Sequence, residues 1–562
     1  MTDPVRDDAT VAGSTIPEVL ASAARRHATR VALRTDDATL SYAELATRAH
    51  DAARAFLAHG IDKGDRVAIW APNGGAWIVA ALGLQAAGAV LVPLNTRFKG
   101  PEAHDILRRS RARILVTVWR FLGTDYVAAL RALPADAAVR SVVHGRPVPA
   151  LPDLEHVVLL DDATVDGCTP WTAWLARAAA LPAGEAAARA AAVAPDDLCD
   201  ILFTSGTTGL PKGVETAHRQ ALRAQRSWIA MVGLRAGDRY LIVNPFFHAF
   251  GYRAGWLSCL LAGATILPEA VFDPARVLAR VAREQVTVLP GPPTLYQSLL
   301  ALPELERARL RSLRLAVTGA AVVPVELVRR MRSELGFATV VTGYGLTECT
   351  GVATMCRSDD DPETIAQTCG RAIPDVEVRV AGDDGAELPP GSAGEVLIRG
   401  YNVMRGYFED PEATRQAIDA QGWLHSGDIG VMDERGYLRI TDRKKDLFIV
   451  GGFNVSPAEV ERALLRHPDI LQAAVIGVAD ARLGEVGMAF VVARTGAALA
   501  GAGVIAWCRV ELANFKVPRH VALVPELPLN ASGKVLKGAL RQRAAELLQR
   551  GAGPPAGGYD DG

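Results

Sequence analysis

The sequence predicts an α/β protein in two parts: a large N-terminal domain built mainly on parallel strands and a small α+β C-terminal domain. Three observations carry this reading. Strand-length apolar runs alternate with alanine-rich helical stretches through RVAIWAP, AVLVPL, ARILVTV, HVVLL, DRYLIVN, TVLPG and LRLAVTG, the pattern of buried parallel βα units. From about residue 375 the pattern turns to short alternating strands with turn signals, VEVRVAGDDGAELPPGSAGEVLIRG and then GYLRITDRKKDLFIVGG, which reads as antiparallel. Past the charged cluster DRKKD lies a further stretch of about a hundred residues, a usual domain size, and 562 residues exceed what one compact core organises.

The elements follow in order. The leader MTDPVRDDATVAGS carries acidic residues and no apolar core, so residues 1–14 are expected to be disordered rather than a secretory signal, with the large domain spanning 15–441. The run from Ala76 to Leu94 is apolar enough to resemble a membrane span. Gly83, Gln85, Gly88 and Pro93 interrupt it, however, and it ends in the β-branched stretch AVLVPL, which predicts a buried helix followed by a buried strand. Residues 173–195 are mostly alanine with scattered charges and read as a surface helix or connector before the strand CDILF. The small domain, 442–548, reads as a helix at SPAEVERALLRHP, strands at AAVIGV and AFVVAR, and a helix from about Gly503 to Ala513. The tail 549–562 is rich in glycine and proline and is expected to be disordered.

Composition excludes several classes. Lysine plus arginine number 61 against 62 aspartate plus glutamate, so no global field would hold nucleic acid or an anionic membrane, and any anionic substrate must be gripped locally. The seven cysteines are odd in number and never spaced as CxxC, which suggests neither zinc nor a disulfide framework and predicts reduced thiols in cytoplasm. The sequence leaves the oligomeric state open and is compatible with a homo-oligomer.

The strongest single feature is ILFTSGTTGLPKGVETAH, where a β-like run breaks into a loop of Thr204, Ser205, Gly206, Thr207, Thr208, Gly209, Pro211, Lys212 and Gly213. Glycines let main-chain N–H groups approach phosphate oxygens, hydroxyls donate further hydrogen bonds, and a lysine adds charge. The spacing is not that of a Walker loop. On its residues alone the segment reads equally as a phosphate cradle or as a flexible polar loop.

At this point the residues resemble the adenylate-forming superfamily, which contains acyl-CoA synthetases, adenylation domains of peptide synthetases and luciferases. TSGTTGLPKG is similar to its signature loop. Further motifs follow in the expected order: NPFFHAFG (244–251), VTGAA (317–321), GYGLTE (343–348), GWLHSGD (422–428), YLRITDRKKDLFIVGGFNV (437–455) and NASGKVLK (530–537).

The resemblance implies ATP, Mg²⁺ and coenzyme A as the small-molecule partners of a carboxylic acid. It implies that the antiparallel stretch forms a distorted barrel and that the small domain is mobile about a hinge at Asp442. Attack of a carboxylate on the α-phosphorus of ATP gathers anions, so charge must be neutralised and the groups aligned. By resemblance Lys534 bridges the carboxylate and α-phosphate, Thr347 touches that phosphate, and Glu348 and Thr208 ligate Mg²⁺, a hard cation suited to oxygen. Asp428 accepts the ribose hydroxyls and Arg443 also reaches the ribose. Gly319, Ala320, Ala321, Tyr344 and Gly345 form the adenine slot, and residues 204–209 with Lys212 hold the phosphates. His248 is the implied gate to an acyl pocket of Phe247, His248, Tyr252, Gly291, Pro292 and Gly345. Gly451, Gly452 and Phe453 would line a narrow tunnel for the pantetheine of CoA. Read singly, Lys534 is a solvated tail lysine, His248 a structural histidine and Tyr344 a core tyrosine.

Aromatic and small residues in that pocket predict a mainly apolar acid. Phe247 and His248 stand where amino-acid-activating relatives carry an aspartate, which disfavours amino acids. NPFFHAFGYRAG, TVLPGPPTLYQSLL and ECTGVATMCR are similar to an actinobacterial branch that activates steroid-derived indane-dione propanoates in sterol catabolism. The expected activity is therefore ATP-dependent acid:CoA ligation, AMP-forming, on such a ring propanoate. The alternatives are a medium- or long-chain fatty acid or aryl acid ligase, and adenylation for a free acyl carrier protein. Fewer than thirty residues follow Lys534, which leaves no room for a fused carrier. An inactive interaction protein should have decayed motifs, whereas Lys212, Glu348, Asp428, Arg443 and Lys534 are all present.

Overall fold

The computed structural model describes residues 10–132, 140–143, 146–149, 151–204, 211–302, 310–319, 323–382, 384–443, 448–455, 457–494, 496–528, 535 and 537–549. The chain divides into two compact units. One comprises 1–96, 106–203 and 213–442; the other comprises 97–105, 204–212 and 443–562.

The larger unit contains an eight-stranded sheet in which Thr169–Pro170, His156–Leu159, Ile114–Thr117, Arg66–Trp70, Val90–Pro93, Leu198–Thr204, Lys212–Ala217 and Gly406–Tyr407 lie side by side in that order. The strands from Thr169–Pro170 through Leu198–Thr204 pair in parallel, and Gly406–Tyr407 closes the edge antiparallel to Lys212–Ala217. A second sheet runs Arg239–Ile242, Thr265–Pro268, Val31–Arg34 and Thr39–Ser41, and single parallel bridges through Val288 join its edge to the strand Leu315–Thr318 of a third. The reason for parallel pairing is legible in the strands: Val67–Trp70, Val90–Pro93 and Ile114–Val116 are buried at every position, as strands covered on both faces must be.

The apolar run once comparable to a membrane span is the helix Gly75–Ala86 followed by the strand Val90–Pro93, and every residue from Trp77 to Ala86 is buried. A Cβ on Gly83 would fall 2.5 Å from the Cβ of Ala52, so glycine there lets this helix lie against Tyr42–Ala58. That second helix begins with a capping box in which Ser41 and Glu44 satisfy each other's backbone N–H, worth about 1 kcal/mol. Among the described residues no helix is long and apolar enough to cross a membrane.

Two sequence expectations change in detail. Residues 10–14, assigned to a disordered leader, are held in place: Val11 is buried, its N–H donates to Leu261 O at 2.8 Å, and Arg226 donates to Val11 O and Gly13 O. A valine in a polar leader gives no periodic signal of this. The alanine-rich connector is two helices, Trp171–Ala176 and Ala183–Ala191, and the first is no surface element, since Trp171 and Trp174 are buried against Phe56.

From Val376 the chain forms an antiparallel sheet ordered Val376–Ala381, Ala393–Gly400, Leu424–Met432, Leu438–Arg443, with a register shift between Glu395 and Leu397 that bends it.

In the smaller unit the long hairpin Ile470–Asp480 and Gly484–Ala493 alternates between two apolar faces beyond a register shift between Ile470 and Gln472. Val475, Ala489 and Val491 pack under the helices Pro457–Leu465 and Gly501–Glu511, while Ile476, Met488 and Phe490 pack under Lys537–Gln549. Within the same unit Lys516 is buried with its Nζ 2.7 Å from both Glu102 and Glu459 and 4.6 Å from the centre of the Phe98 ring. Burial alone would lower its pKa; the two carboxylates outweigh burial and hold it above the usual lysine value. The tail 550–562 lies outside the described residues.

Candidate active site

One strand end, the middle of a second strand and one short turn bring polar side chains together in the larger unit. The strand Thr339–Tyr344 ends on Tyr344, whose Oη donates a 2.7 Å hydrogen bond to Asp428 Oδ2 on Leu424–Met432. Asp428 is 5% exposed, and its own N–H donates to Ser426 Oγ. Burial and then the Asp428 charge push the Tyr344 phenol well above its usual pKa, so Tyr344 keeps its proton to donate at neutral pH.

The chain next passes through Gly345, where a Cβ would meet the backbone of Gly351 at 2.5 Å; glycine is required by close approach. It then turns in the 3₁₀ segment Thr347–Cys349. Glu348 Oε1 accepts from Tyr407 Oη at 2.9 Å, and Glu348 O accepts from Met404 N–H at 2.8 Å. Among the described residues no group of three or more His, Cys, Asp or Glu could hold a metal ion. A lone carboxylate of this kind is a ligand type suited to a hard cation such as Mg²⁺. Gly319 follows the strand Leu315–Thr318 directly, with Gly343 O 3.3 Å from where its Cβ would stand.

The segment 244–251 is fixed from outside. Asn73 Nδ2 donates to Ile242 O and Asn244 O, while Asn73 Oδ1 accepts from Phe246 N–H at 2.8 Å. His248 is exposed, yet protein surrounds its ring closely enough that burial, with the Arg253 charge second, holds its pKa below the usual histidine value. His248 Nδ1 accepts from Phe250 N–H at 3.2 Å, which makes Nε2 the N–H tautomer of a neutral ring. The helix Ala249–Gly251 runs into a π-helical turn, Tyr252–Leu257, broken by a non-helical Gly255. Phe247 is half-buried beside His248. Tyr252 is fully buried behind them, stacked on Trp256 at 4.9 Å with its Oη accepting from Gln85 Nε2. Gly291 donates its N–H to Val317 O, a Cβ there would meet Leu295 Cδ1 at 2.6 Å, and Pro292 starts the helix Pro293–Leu300.

In the smaller unit Gly451 and Gly452 sit at φ +54° and +86°, inside a hairpin whose Gly451 N–H donates to Leu483 O. Nothing stands within 4 Å of a Cβ on Gly452, so its backbone conformation, and not want of room, calls for glycine. Phe453 stacks on Phe515 at 4.6 Å. Thr204 ends one strand and Lys212 opens the next. Ser205, Gly206, Thr207, Thr208, Gly209, Ala320, Ala321 and Lys534 lie outside the described residues. Asp442 and Arg443 close the strand Leu438–Arg443, and Asp442 is the last residue of the larger unit.

Sequence reasoning missed Asn73, Tyr407 and the buried pair Asp200–Arg253. Neither Asn73 nor Tyr407 belongs to any of the motifs singled out above. No spacing rule links either to its partner, since each contact joins residues far apart in the chain.

Parallel α/β subdomains, a bent antiparallel sheet and a small α+β unit, with Tyr344 bonded to Asp428 and Glu348 in the turn just after Tyr344, define an adenylate-forming enzyme. The chain belongs to the AMP-binding enzyme family: residues 20–408 match the family model and residues 459–534 match that of the AMP-binding enzyme C-terminal domain. It is 50% identical over 529 residues, 94% of this chain and 98% of the relative, to 3-[(3aS,4S,7aS)-7a-methyl-1,5-dioxo-octahydro-1H-inden-4-yl]propanoyl:CoA ligase of Rhodococcus jostii. It is 53% identical, with the same coverage, to the ligase of that name from Mycobacterium tuberculosis. Among solved structures it resembles a double mutant of o-succinylbenzoate CoA synthetase from Bacillus subtilis bound with a product analogue, at TM-score 0.75 and 27% identity over 94% of this chain and 98% of that one.

Proposed function

We propose that the protein is the AMP-forming CoA ligase of a steroid-derived dioxo-octahydroindenyl propanoate. The observation that carries this is end-to-end identity of 50% and 53% to two ligases named for that acid. In the first half-reaction a carboxylate oxygen attacks the α-phosphorus of ATP, the α–β bridge bond breaks, and pyrophosphate leaves. In the second the CoA sulfur, its proton lost to solvent, attacks the acyl carbonyl; the acyl–phosphate bond breaks and AMP leaves.

The residues take the following roles. Tyr344, with Gly319, Ala320, Ala321 and Gly345, receives adenine on an aromatic face. Asp428, already held by Tyr344, accepts the ribose hydroxyls together with Arg443. Thr204–Gly209, Lys212 and Thr347 bind the phosphates. Glu348, oriented by Tyr407, and Thr208 would hold Mg²⁺, which supplies charge neutralisation when bound. Lys534 bridges carboxylate and α-phosphate. His248 and Phe247, with Gly291 and Pro292, wall the acyl pocket, and the buried Tyr252 backs it. Gly451, Gly452 and Phe453 admit the pantetheine, and Asp442 is the hinge. The reduced, unpaired cysteines support a cytoplasmic location.

The test is pyrophosphate release and acyl-CoA formation with ATP, Mg²⁺ and CoA across fatty acids of several lengths, benzoates, amino acids and steroid-ring propanoates. A preference for the ring propanoates of about a hundredfold in kcat/KM, roughly 2.7 kcal/mol, is expected. Preference for straight-chain or aryl acids removes the substrate assignment and leaves the ligase. Adenylation without thioester formation from CoA points to a free carrier protein.

A further inference from the structure

The antiparallel sheet is irregular where the strands Ala393–Gly400 and Leu424–Met432 meet. Glu395 pairs with Ile429 and Leu397 with His425, so between those pairs one residue, Val396, stands on the first strand against three, Ser426, Gly427 and Asp428, on the second. The surplus bows out as an arch, with Gly427 at φ +71°. Residues of the arch have no partner in register on Ala393–Gly400, so that strand can fix their shape only through its side chains.

Glu395 does this. Its Oε1 accepts the N–H of Gly427 at 3.2 Å, and its Oε2 stands 3.3 Å from His425 Nδ1, so one carboxylate ties the foot of the arch to its crown. The Glu395 side chain is 13% exposed. His425 is held from its other side as well, with Nε2 lying 3.7 Å from Asp419 Oδ2. Asp428 follows Gly427 directly; its N–H turns back onto Ser426 Oγ at 3.1 Å, and its Oδ2 accepts from Tyr344 at 2.7 Å. Tyr344 thus fixes the side-chain end of Asp428, and Glu395 fixes the backbone that carries it. For packing alone an apolar residue would fill the place of Glu395 without the cost of drying a charge. A carboxylate that must meet two hydroxyls at once, by contrast, is useful only when its position is held to about 0.5 Å by the groups behind it.

We infer that Glu395 is a positioning residue for the nucleotide: by holding the arch from His425 to Gly427 it presents Asp428 to the ribose hydroxyls of ATP. This rests on the ribose role proposed for Asp428 and is independent of which acid is activated. Dissociation constants of ATP and of 2′,3′-dideoxy-ATP, each with Mg²⁺, are measured by titration calorimetry on the full chain as wild type, Glu395→Ala, Glu395→Asp, Asp428→Ala and Glu395→Ala/Asp428→Ala. Aspartate keeps the charge and shortens the reach by one methylene, so it tests the position of the carboxylate apart from its presence.

The wild type is expected to bind ATP roughly thirtyfold more tightly than the dideoxy nucleotide, the range of hydrogen bonds to a charged acceptor. That ratio should fall to about fivefold or less in Glu395→Ala and Glu395→Asp, through weaker binding of ATP alone. Glu395→Ala should cost ATP binding nothing further once Asp428 is alanine, because the two residues act as one unit. A glutamate that merely stabilises the sheet would weaken both nucleotides together and add its loss to that of Asp428→Ala. A ratio within about twofold of the wild type in whichever single variant folds therefore overturns the inference and leaves the role of Asp428 standing. A wild type indifferent to the ribose hydroxyls overturns both.

Discussion

Tyr344 Oη and Asp428 Oδ2 lie 2.7 Å apart although 84 residues separate them in the chain. The bond ties the end of a strand in one sheet to a carboxylate in the next, and it places an aromatic face and an acceptor side by side. A carboxylate held by a phenol has fewer orientations to lose when it meets a diol. Tyr344→Phe removes that constraint while keeping the ring, so KM for ATP is expected to rise about five- to tenfold with kcat little changed, of the size of one hydrogen bond. Asp428→Ala, which removes the acceptor, should lower kcat/KM for ATP by roughly a hundredfold or more. ATP–pyrophosphate exchange measures both. Equal, small effects from the two would show that the carboxylate does not contact nucleotide.

The Lys516 cluster predicts a stability change with a rescue. With Lys516→Met the largely covered Glu102 and Glu459 face each other without a cation, and loss of about 3 kcal/mol is expected. Burial already raises the Glu102 pKa, with Lys516 opposing. Adding Glu102→Gln should recover part of the loss at pH 7. Urea melts of the single and double variants check this, and a double variant no more stable than the single one would count against an electrostatic origin.

His218 gives the chain a pH window. It is 1% exposed, its Nδ1 accepts from Ile16 N–H, and burial lowers its pKa to about 4 from 6.5. A depressed folded-state pKa means that the unfolded chain binds more protons between those values. The contribution is thus complete above about pH 6.5 and is lost as pH falls toward 4, on the order of 3 kcal/mol for a fully buried ring. Thermal melts from pH 7.5 to 4.5 should show His218→Gln with a shallower fall than the wild type. Parallel curves would remove His218 from the account.

How much of this was legible in the sequence depends on the range of the interaction. Val67–Trp70 and Val90–Pro93 announce buried parallel strands because burial on both faces leaves no polar position to misread. Tyr344, Glu348 and Asp428 were legible as motif residues, but their partners were not: Tyr407 reaches Glu348 and Asn73 pins Phe246 through contacts across 59 and 173 residues. Val11 and Trp174 misled for the complementary reason. Each sits among few large apolar residues in a polar or alanine-rich stretch, which leaves no period to detect. Gly452 is implied by resemblance as a tunnel residue, and its φ of +86° is a further reason for glycine that no pattern of neighbours displays.

That φ changes how the two half-reactions are best separated. Lys534→Ala is expected to suppress pyrophosphate release by roughly a hundredfold or more while sparing thioester formation from a preformed acyl-adenylate, since the cation is needed only where the phosphate charge gathers. A bulky residue at Gly452 should do the reverse by obstructing the pantetheine. Any side chain there also strains a left-handed turn by about 1 kcal/mol, so Gly452→Leu alone cannot tell obstruction from a loosened hairpin. Gly452→Ala carries the same strain with little bulk. If Gly452→Leu loses thioester formation at least tenfold beyond Gly452→Ala while both keep adenylation, obstruction is the cause. If the two variants lose it equally, the turn matters for its shape, and the pantetheine path must run elsewhere.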